Sequence, residues 1–291
     1  MAIRQAILND VPSMVDLSEA VRSRYETYQP RFWRKAQDSR GKQTSYFESQ
    51  LQNERMAMLV HETSGTVDGF VIANLGRGQE CSIDDFALAN EQQWESIGKA
   101  LLLAAGAEAK KRGIQRYVVV CGHLDVPKRQ MLNNFGLEIV DYWYTALVQS
   151  GCDLPEGIHI RNAVASDAPS MQGIAKTSGR EFAEIGRDNF IVLVCEQGNA
   201  VIGYAIAAIL TAPPVYDAGG PVCLVIESAM NQHADWRMAG KAMLQVMQNR
   251  ASQQGAVQYV VVCEASHHAK RDTLHELGST IASEWYGGDI Q

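Results

Sequence analysis

The chain has 291 residues, 46% of them hydrophobic and 20% charged, with 26 Lys and Arg against 33 Asp and Glu and a net charge of −7. These values suit a globular protein of about two domains, exclude nucleic-acid binding through a basic surface, and leave no apolar run near the roughly 18 residues of a membrane helix. The start lacks the basic-then-apolar pattern of a signal peptide, and six cysteines without a C-x-x-C read as reduced residues of a cytoplasmic protein, with no metal site.

In chain order, a strand over residues 3–7 runs into Asn9-Asp10-Val11-Pro12, a helix-start signal. The basic and aromatic segment from Arg22 to Lys35 follows, and then two strands, 56–60 and 69–73, around the turn Ser64-Gly65. A fourth strand covers 81–88. A long helix begins near Trp94 and ends at Arg112-Gly113, where glycine is the expected stop. The continuous apolar run Tyr117-Val-Val-Val-Cys121 predicts a strand buried on both faces. A short helix ends at Gly136, and a last strand carries Trp143-Tyr144.

The same order then returns 142 residues later. Tyr259-Val-Val-Val-Cys263 repeats Tyr117 to Cys121, Gly240-Lys241-Ala242 repeats Gly98-Lys99-Ala100, and Trp236, Lys270-Arg271, Gly278 and Trp285-Tyr286 keep the register of Trp94, Lys128-Arg129, Gly136 and Trp143-Tyr144. A unit of this length is a domain and not a short solenoid repeat. The organisation read from it is a domain over residues 1–149, a linker over 150–157 rich in turn formers, and a second domain over 158–291. The first 150 residues carry 17 Lys and Arg against 18 Asp and Glu, and the remainder 9 against 15, so the first half better tolerates a polyanionic ligand. The halves differ by extra residues before the first hairpin in copy one, and by a loop over 211–221 in copy two, a place where specificity often resides.

This mixed α/β order, strand, helix, three strands, helix, strand, helix, strand, resembles the GNAT superfamily of N-acetyltransferases in tandem form. Its local support is the junction of fourth strand and long helix, where the family shows Gln/Arg-x-x-Gly-x-Gly/Ala. Amides at a helix start are unpaired and carry the positive end of the dipole, so a bare loop there receives a pyrophosphate. The first copy reads Gln93-Trp94-Glu95-Ser96-Ile97-Gly98, and the second Asp235-Trp236-Arg237-Met238-Ala239-Gly240. Met238 is bulky, and Asp235 is a strong helix cap that takes the amides a phosphate needs. The resemblance therefore implies acetyl-CoA as co-substrate in the first domain and a degenerate coenzyme site in the second. It places coenzyme contacts at Phe86, Ala87 and Leu88, and at Gln93, Trp94, Ser96, Ile97, Gly98, Lys99 and Ala100. Trp94 reads either as a ring packed at the helix start or as a stacking surface for the coenzyme.

The implied reaction is direct transfer of an acetyl group to a primary amine of a small molecule or peptide, with a base to remove the ammonium proton. Asp85 in the first copy aligns with Glu227 in the second, and these are the catalytic candidates. Asp84 precedes Asp85, and alternation along a strand lets only one of the two face the cleft. Where the family carries a proton-donating tyrosine, this chain has Leu132 and Leu274. Tyr142 and Tyr144 are geometric substitutes. His123 and Asp125 read as polar contacts at the cleft mouth or as loop residues, and Lys128-Arg129 as partners of the strand acids or of the other domain, or as a phosphate contact. The segment Arg22 to Lys35 reads as a cover for the acceptor or as a solvated basic helix face. The final strand and its Trp-Tyr pair read as a contact surface, with a homodimer as the expectation. The alternative function is an acyl-CoA-sensing or protein-interaction module without catalysis.

Overall fold

The first copy folds as β1 (Ala2–Gln5), α1 (Val11–Tyr28), α2 (Ser39–Gln50), β2 (Met56–Thr63), β3 (Thr66–Asn74), β4 (Glu80–Leu88), α3 (Lys99–Lys110), β5 (Arg116–Gly122), α4 (Val126–Asn134) and β6 (Glu138–Leu147). The second folds as β7 (Ile158–Asn162), α5 (Ala168–Ile174), β8 (Phe190–Gln197), β9 (Ala200–Leu210), β10 (Val222–Met230), α6 (Lys241–Gln253), β11 (Gln258–Glu264), α7 (His268–Glu276) and β12 (Thr280–Asp289). A single π-helical turn precedes each long helix, Trp94–Gly98 before α3 and Trp236–Gly240 before α6. The computed structural model describes residues 2–76, 78–149, 151, 154–175, 181–232 and 234–291; Ser150, Cys152 and Asp153 of the predicted linker lie outside the described residues. The extra residues of copy one form α2. Among the described residues no helix is long and apolar enough to cross a membrane.

The chain divides into two units that cross the boundary read from the duplication. Unit 1 comprises Met1–Asp141, Pro213–Asp217 and Ala282–Gln291, and unit 2 comprises Tyr142–Ala212 and Ala218–Ile281. Each unit thus takes its final strand from the other half of the sequence. In unit 1 the strand order is β1-β2-β3-β4-β5-β12, with β4 and β5 parallel and β12 antiparallel to β5 from Ser283↔Gly122 to Asp289↔Arg116. In unit 2 the order is β6-β11-β10-β9-β8-β7, with β10 and β11 parallel.

Both faces of each sheet are covered. Along β2, Ala57 and Leu59 join the core that holds Leu101 and Leu102 of α3, while Met58 and Val60 join the core that holds Met14 of α1 and Phe47 of α2. Period-two alternation with apolar residues on both sides is what such a strand requires. The apolar run of β11 is more deeply buried than that of β5, where Val118 and Val120 are only half-buried. The five described cysteines are buried, and burial pushes the Cys81 and Cys223 thiols up to about 12, which keeps them unreactive at neutral pH. The long helices end before Gly113 and Gly255, whose φ of 74° and 79° is the left-handed conformation that favours glycine. The helix-start signals at Asp10 and Asp167 are built alike. Each carboxylate accepts a backbone N–H at 2.8 Å, from Ile7 or Val164, and each pairs with an arginine of the preceding strand, Arg4 at 2.6 Å or Arg161 at 2.7 Å.

Glu284 on β12 fixes the exchanged strand in unit 1. Its carboxylate is 0% exposed and engages Arg129 at 2.7 Å, His123 Nδ1 at 2.7 Å and the Tyr286 hydroxyl at 2.8 Å. At its repeat position unit 2 has Tyr142, and there Arg271 lies 4.5 Å over the Tyr142 ring instead. Burial alone pushes the Glu284 carboxyl up, but His123, Tyr286 and Arg129 outweigh it and hold the group below the ordinary glutamate range. Its folded value being depressed, its contribution to stability is present above about pH 4.3, the ordinary glutamate value, and is lost as pH falls through the folded value. Glu284→Ala, which strands the Arg129 guanidinium, should lower unfolding free energy by about 3 kcal/mol in denaturant titrations at neutral pH. The difference between wild type and Glu284→Gln should shrink on acidification below that range; a difference that grows instead counts against this assignment.

Candidate active site

The site in unit 1 begins with one extra residue in β4. Against β3, Asp85 pairs with Ile72 and Ile83 with Ala73, so Asp84 is a bulge. The parallel ladder between β4 and β5 runs from Glu80↔Arg116 to Ile83↔Val119 and stops there, although both strands continue. Beyond that point lies a cavity of about 50 Å³ lined by Ser18, Arg22, Asp84, Asp85, Lys128 and Tyr216, with Tyr25 and Trp33 among the aromatic walls. Asp84 and Asp85 both belong to its lining, Asp84 exposed and Asp85 half-buried.

Asp85 is half-buried and accepts two long hydrogen bonds, from Ser18 Oγ at 3.3 Å and Gln43 Nε2 at 3.5 Å. Burial raises its carboxyl above the ordinary aspartate range; the charge of Arg22 opposes this and that of Asp84 adds to it. Arg22, 4% exposed, donates to Gln43 Oε1 at 3.0 Å and pairs with Glu19 at 3.2 Å. Residues 213–217 form a strap over this end of unit 1. Ala36 N–H donates to Val215 O at 3.0 Å, Asp217 N–H to Arg34 O at 2.9 Å, and the Tyr216 ring meets Trp33 edge-on at 5.5 Å. The basic segment is therefore no solvated helix face. Arg24 pairs with Glu91 and with Asp125, Lys35 pairs with Glu19, and Trp33 is buried. Asp125, 2% exposed, also accepts from the Tyr25 hydroxyl at 2.7 Å and caps α4 through Lys128 N–H at 3.4 Å.

At the start of α3, Phe86, Ala87, Leu88, Trp94 and Ile97 are buried. Ser96 and Lys99 are exposed, and Gln93 and Ala100 half-buried. Asn90 caps the preceding turn through Gln92 N–H at 3.0 Å, whereas Gln93 makes no side-chain cap to the π-helical turn. In unit 2, Asp235 Oδ1 accepts from Arg237 N–H at 2.8 Å, so a carboxylate already occupies that helix start. Trp94 packs edge-on against Phe86 with ring centroids 4.7 Å apart, the packed-ring alternative of the two read from sequence. A Cβ on Gly98 would stand 2.5 Å from Trp94 Cε3, and one on Gly240 would stand 2.2 Å from Trp236 Cε3. Both glycines are therefore explained by the tryptophan beneath them, whatever sits at the helix start.

Glu227 occupies in unit 2 the position of Asp85, after a bulge at Ile226, and its carboxylate accepts the Tyr204 hydroxyl. Tyr142 and Tyr144 belong to unit 2 because β6 is exchanged, and the Tyr144 hydroxyl meets His275 at 3.2 Å; they are not substitutes for Leu132, which is buried in the core of unit 1. The tyrosines that reach unit 1 from the second half are Tyr216 and Tyr286. The loop over 211–221 was the signal for the first. For the second, no pattern in the sequence distinguishes an exchanged strand from a retained one.

Residues 19–136 match the family described as Acetyltransferase (GNAT) family. The first half is a GNAT-family domain, and the whole chain has the tandem GNAT fold. No curated protein matches the chain. Among solved structures it is similar to a GCN5-related N-acetyltransferase from Sphaerobacter thermophilus, at 13% identity and a TM-score of 0.66 over 100% of this chain and 96% of that one. It is also similar to a tandem GNAT protein from the clavulanic acid biosynthesis pathway, at 12% identity and a TM-score of 0.54 over 100% and 98%, and to a GNAT acetyltransferase from Colwellia psychrerythraea, at 11% identity and a TM-score of 0.52 over 100% and 100%. GNAT proteins are N-acetyltransferases that draw on acetyl-CoA or another acyl-CoA. Within this GNAT domain the packing role of Gly98 is directly testable. Gly→Ala in a helix ordinarily gains up to about 1 kcal/mol. Gly98→Ala should instead lose about 2 kcal/mol through overpacking, and the loss should largely vanish in a Trp94→Leu background, read as non-additivity in thermal melts.

Proposed function

We propose that unit 1 is an acetyl-CoA-dependent N-acetyltransferase that moves the acetyl group directly to a primary amine, and that unit 2 is a degenerate copy without a coenzyme site. The observation that carries this reading is Asp85, a carboxylate of raised proton affinity on a small polar cavity beside the open end of the β4–β5 ladder. Two features of unit 1 fit a coenzyme. Past Ile83 the backbone of β4 is not laddered to β5, which leaves Phe86, Ala87 and Leu88 to bond a ligand through main-chain groups. The helix start at Gln93 has no side-chain cap, which suits Gln93, Ser96, Ile97, Gly98, Lys99 and Ala100 as the pyrophosphate cradle. Asp235 and Met238 do not fit that role in unit 2.

When bound, the coenzyme supplies an activated acyl thioester. Asp85 accepts the proton of the attacking amine, and its raised proton affinity brings it nearer to the working pH that general-base catalysis favours. Arg22 holds the two neighbouring acids in place by charge. Tyr216 and Trp33 wall the cavity and exclude water. At about 50 Å³ the cavity admits little more than the amine end of an acceptor, whose remainder lies outside it. A second reading, an acyl-CoA-sensing or interaction module, is favoured by Leu132 and Leu274, both fully buried where the family resemblance leads one to expect a hydroxyl donor.

The test uses the full chain, since unit 1 needs Ala282–Gln291. Calorimetry should find one acetyl-CoA site per chain, weakened at least about tenfold by Ser96→Glu through charge repulsion and unchanged by Met238→Glu. Asp85→Asn should leave acetyl-CoA affinity intact while lowering amine acetylation about 100-fold or more. The pH profile of kcat/KM should rise through an inflection above about 3.9, the ordinary aspartate value. Two sites per chain refute the degenerate second unit. One site without turnover on any amine gives the sensor reading precedence.

A further inference from the structure

Lys128 is a buried charge of unit 1 with few partners. It is 2% exposed, and its ammonium, with three N–H donors, reaches a single hydrogen-bond acceptor, the Val120 carbonyl at 2.9 Å. The rings of Phe86 and Trp94 face it at 5.2 Å and 5.6 Å. Among the described residues no carboxylate forms an ion pair with it. Asp85 lies across the same cavity, near enough for their charges to interact. Burying an ammonium costs several kcal/mol unless its donors are answered, and two of these are answered only by ring faces.

Capping Val120 does not account for the charge. That carbonyl lost its partner when the β4–β5 ladder ended at Ile83↔Val119, and any neutral donor would serve it. Unit 2 separates the two roles. Lys270 donates to Val262 O at 2.8 Å at the same break in the β10–β11 ladder, so capping is common to both copies. What stands opposite differs: Glu227 is engaged by Tyr204, whereas Asp85 holds only its two long bonds.

We propose that Lys128 is the cationic catalytic residue that receives the departing sulfur in unit 1, a step that rests on the acetyltransferase reading above. The amine nitrogen forms a bond to the acyl carbon as the carbon–sulfur bond breaks, and the electron pair of that bond leaves with sulfur. Asp85 takes the proton released by the amine. Lys128 gives one to the sulfur; Asp85 then releases its proton to water and Lys128 takes one back, so an amine and a thioester become an amide and a thiol with both groups restored. Leu132, one turn further along α4, has no proton to give. The titratable and charged groups that share its cavity are Asp84 and Asp85 of β4, Arg22 and Tyr25 of α1 and Tyr216; Cys121 of β5 interacts with its charge, and Asp125 stands at the start of its own helix.

The probe is coenzyme A itself, whose thiolate is read by its ultraviolet absorbance as pH is raised. Bound to the wild-type chain, its thiol should ionise at least about one pH unit lower than in free solution, as an opposite charge at close range requires. Lys128→Gln keeps a donor for Val120 O and removes the charge. It should abolish that displacement and lower kcat about 100-fold, while Lys128→Arg retains the displacement. Lys270→Gln should change neither. A wild-type complex whose thiol titrates as free coenzyme A overturns the role of Lys128 without recourse to any variant, as does a Lys128→Gln complex that titrates like wild type. If the wild type binds no coenzyme A, the acetyltransferase reading falls, and this role with it.

Discussion

The end of the β4–β5 ladder governs the rest of unit 1. A parallel pair that ran its full length would have no crevice and no orphaned carbonyl. The single extra residue at Asp84 changes the course of β4 just past Ile83, where the ladder stops. The consequences are chemical as much as geometric. Two acids line one cavity, the Val120 carbonyl loses its strand partner, and Lys128 is drawn in to answer it. A buried backbone acceptor cannot be left unmet, so the break in the ladder selects for a donor on the element packed beside it. The same sequence of events recurs in unit 2 at Ile226, Val262 and Lys270, with different residues filling the outer parts of the site.

Strand exchange determines which side chains can take part. Because unit 1 ends in residues 282–291, its polar interior includes Glu284 and Tyr286. The nearly identical Trp-Tyr pairs of β6 and β12 do not by themselves decide which strand goes where. Their neighbours do: Glu284 meets Arg129 and His123 in unit 1, while Tyr142 in unit 2 offers a ring to Arg271. A buried carboxylate set on the ring side, or a ring set between His123 and Arg129, would leave a charge unanswered, at a loss of several kcal/mol. That mismatch is large against the marginal stability of a domain.

Much of the fold was legible from local rules. Asp10 and Asp167 announce helix starts through the bonds they make, and Gly113 and Gly255 stop helices because they adopt a positive φ. Register across the repeat then placed Asp85 and Glu227 at matching points of two strands. What escaped were features that depend on distant chain. The bulge at Asp84 exists only as a mismatch between two strands, which no single stretch of sequence displays. The ion-paired state of Arg24 and Lys35 needs Glu91, Asp125 and Glu19. The exchange of β6 and β12 is invisible to a repeat whose copies end alike. Gly98 has a second reason that the motif does not reveal: a close-packed indole, Trp94, also requires glycine there.

Comparison of the two units locates the chemistry better than either unit alone. Features held in common, the glycine under the tryptophan, the lysine at the broken ladder and the bulge before the acid, are those that any copy of this sheet needs in order to pack. They cannot by themselves argue for catalysis. The informative differences are at three places. The helix start is uncapped by side chains at Gln93 and capped by Asp235. The strand acid is loosely held at Asp85 and engaged by Tyr204 at Glu227. The cavity-side roof over unit 1 comes from residues 213–217, which insert Tyr216 beside Arg22 and Asp85. The first two differences leave the helix start and the strand acid of unit 1 less fully bonded than their counterparts in unit 2. A charge kept in common can still acquire a new role when its surroundings change, and Lys128 faces a loosely held acid in the one unit whose helix start is also open.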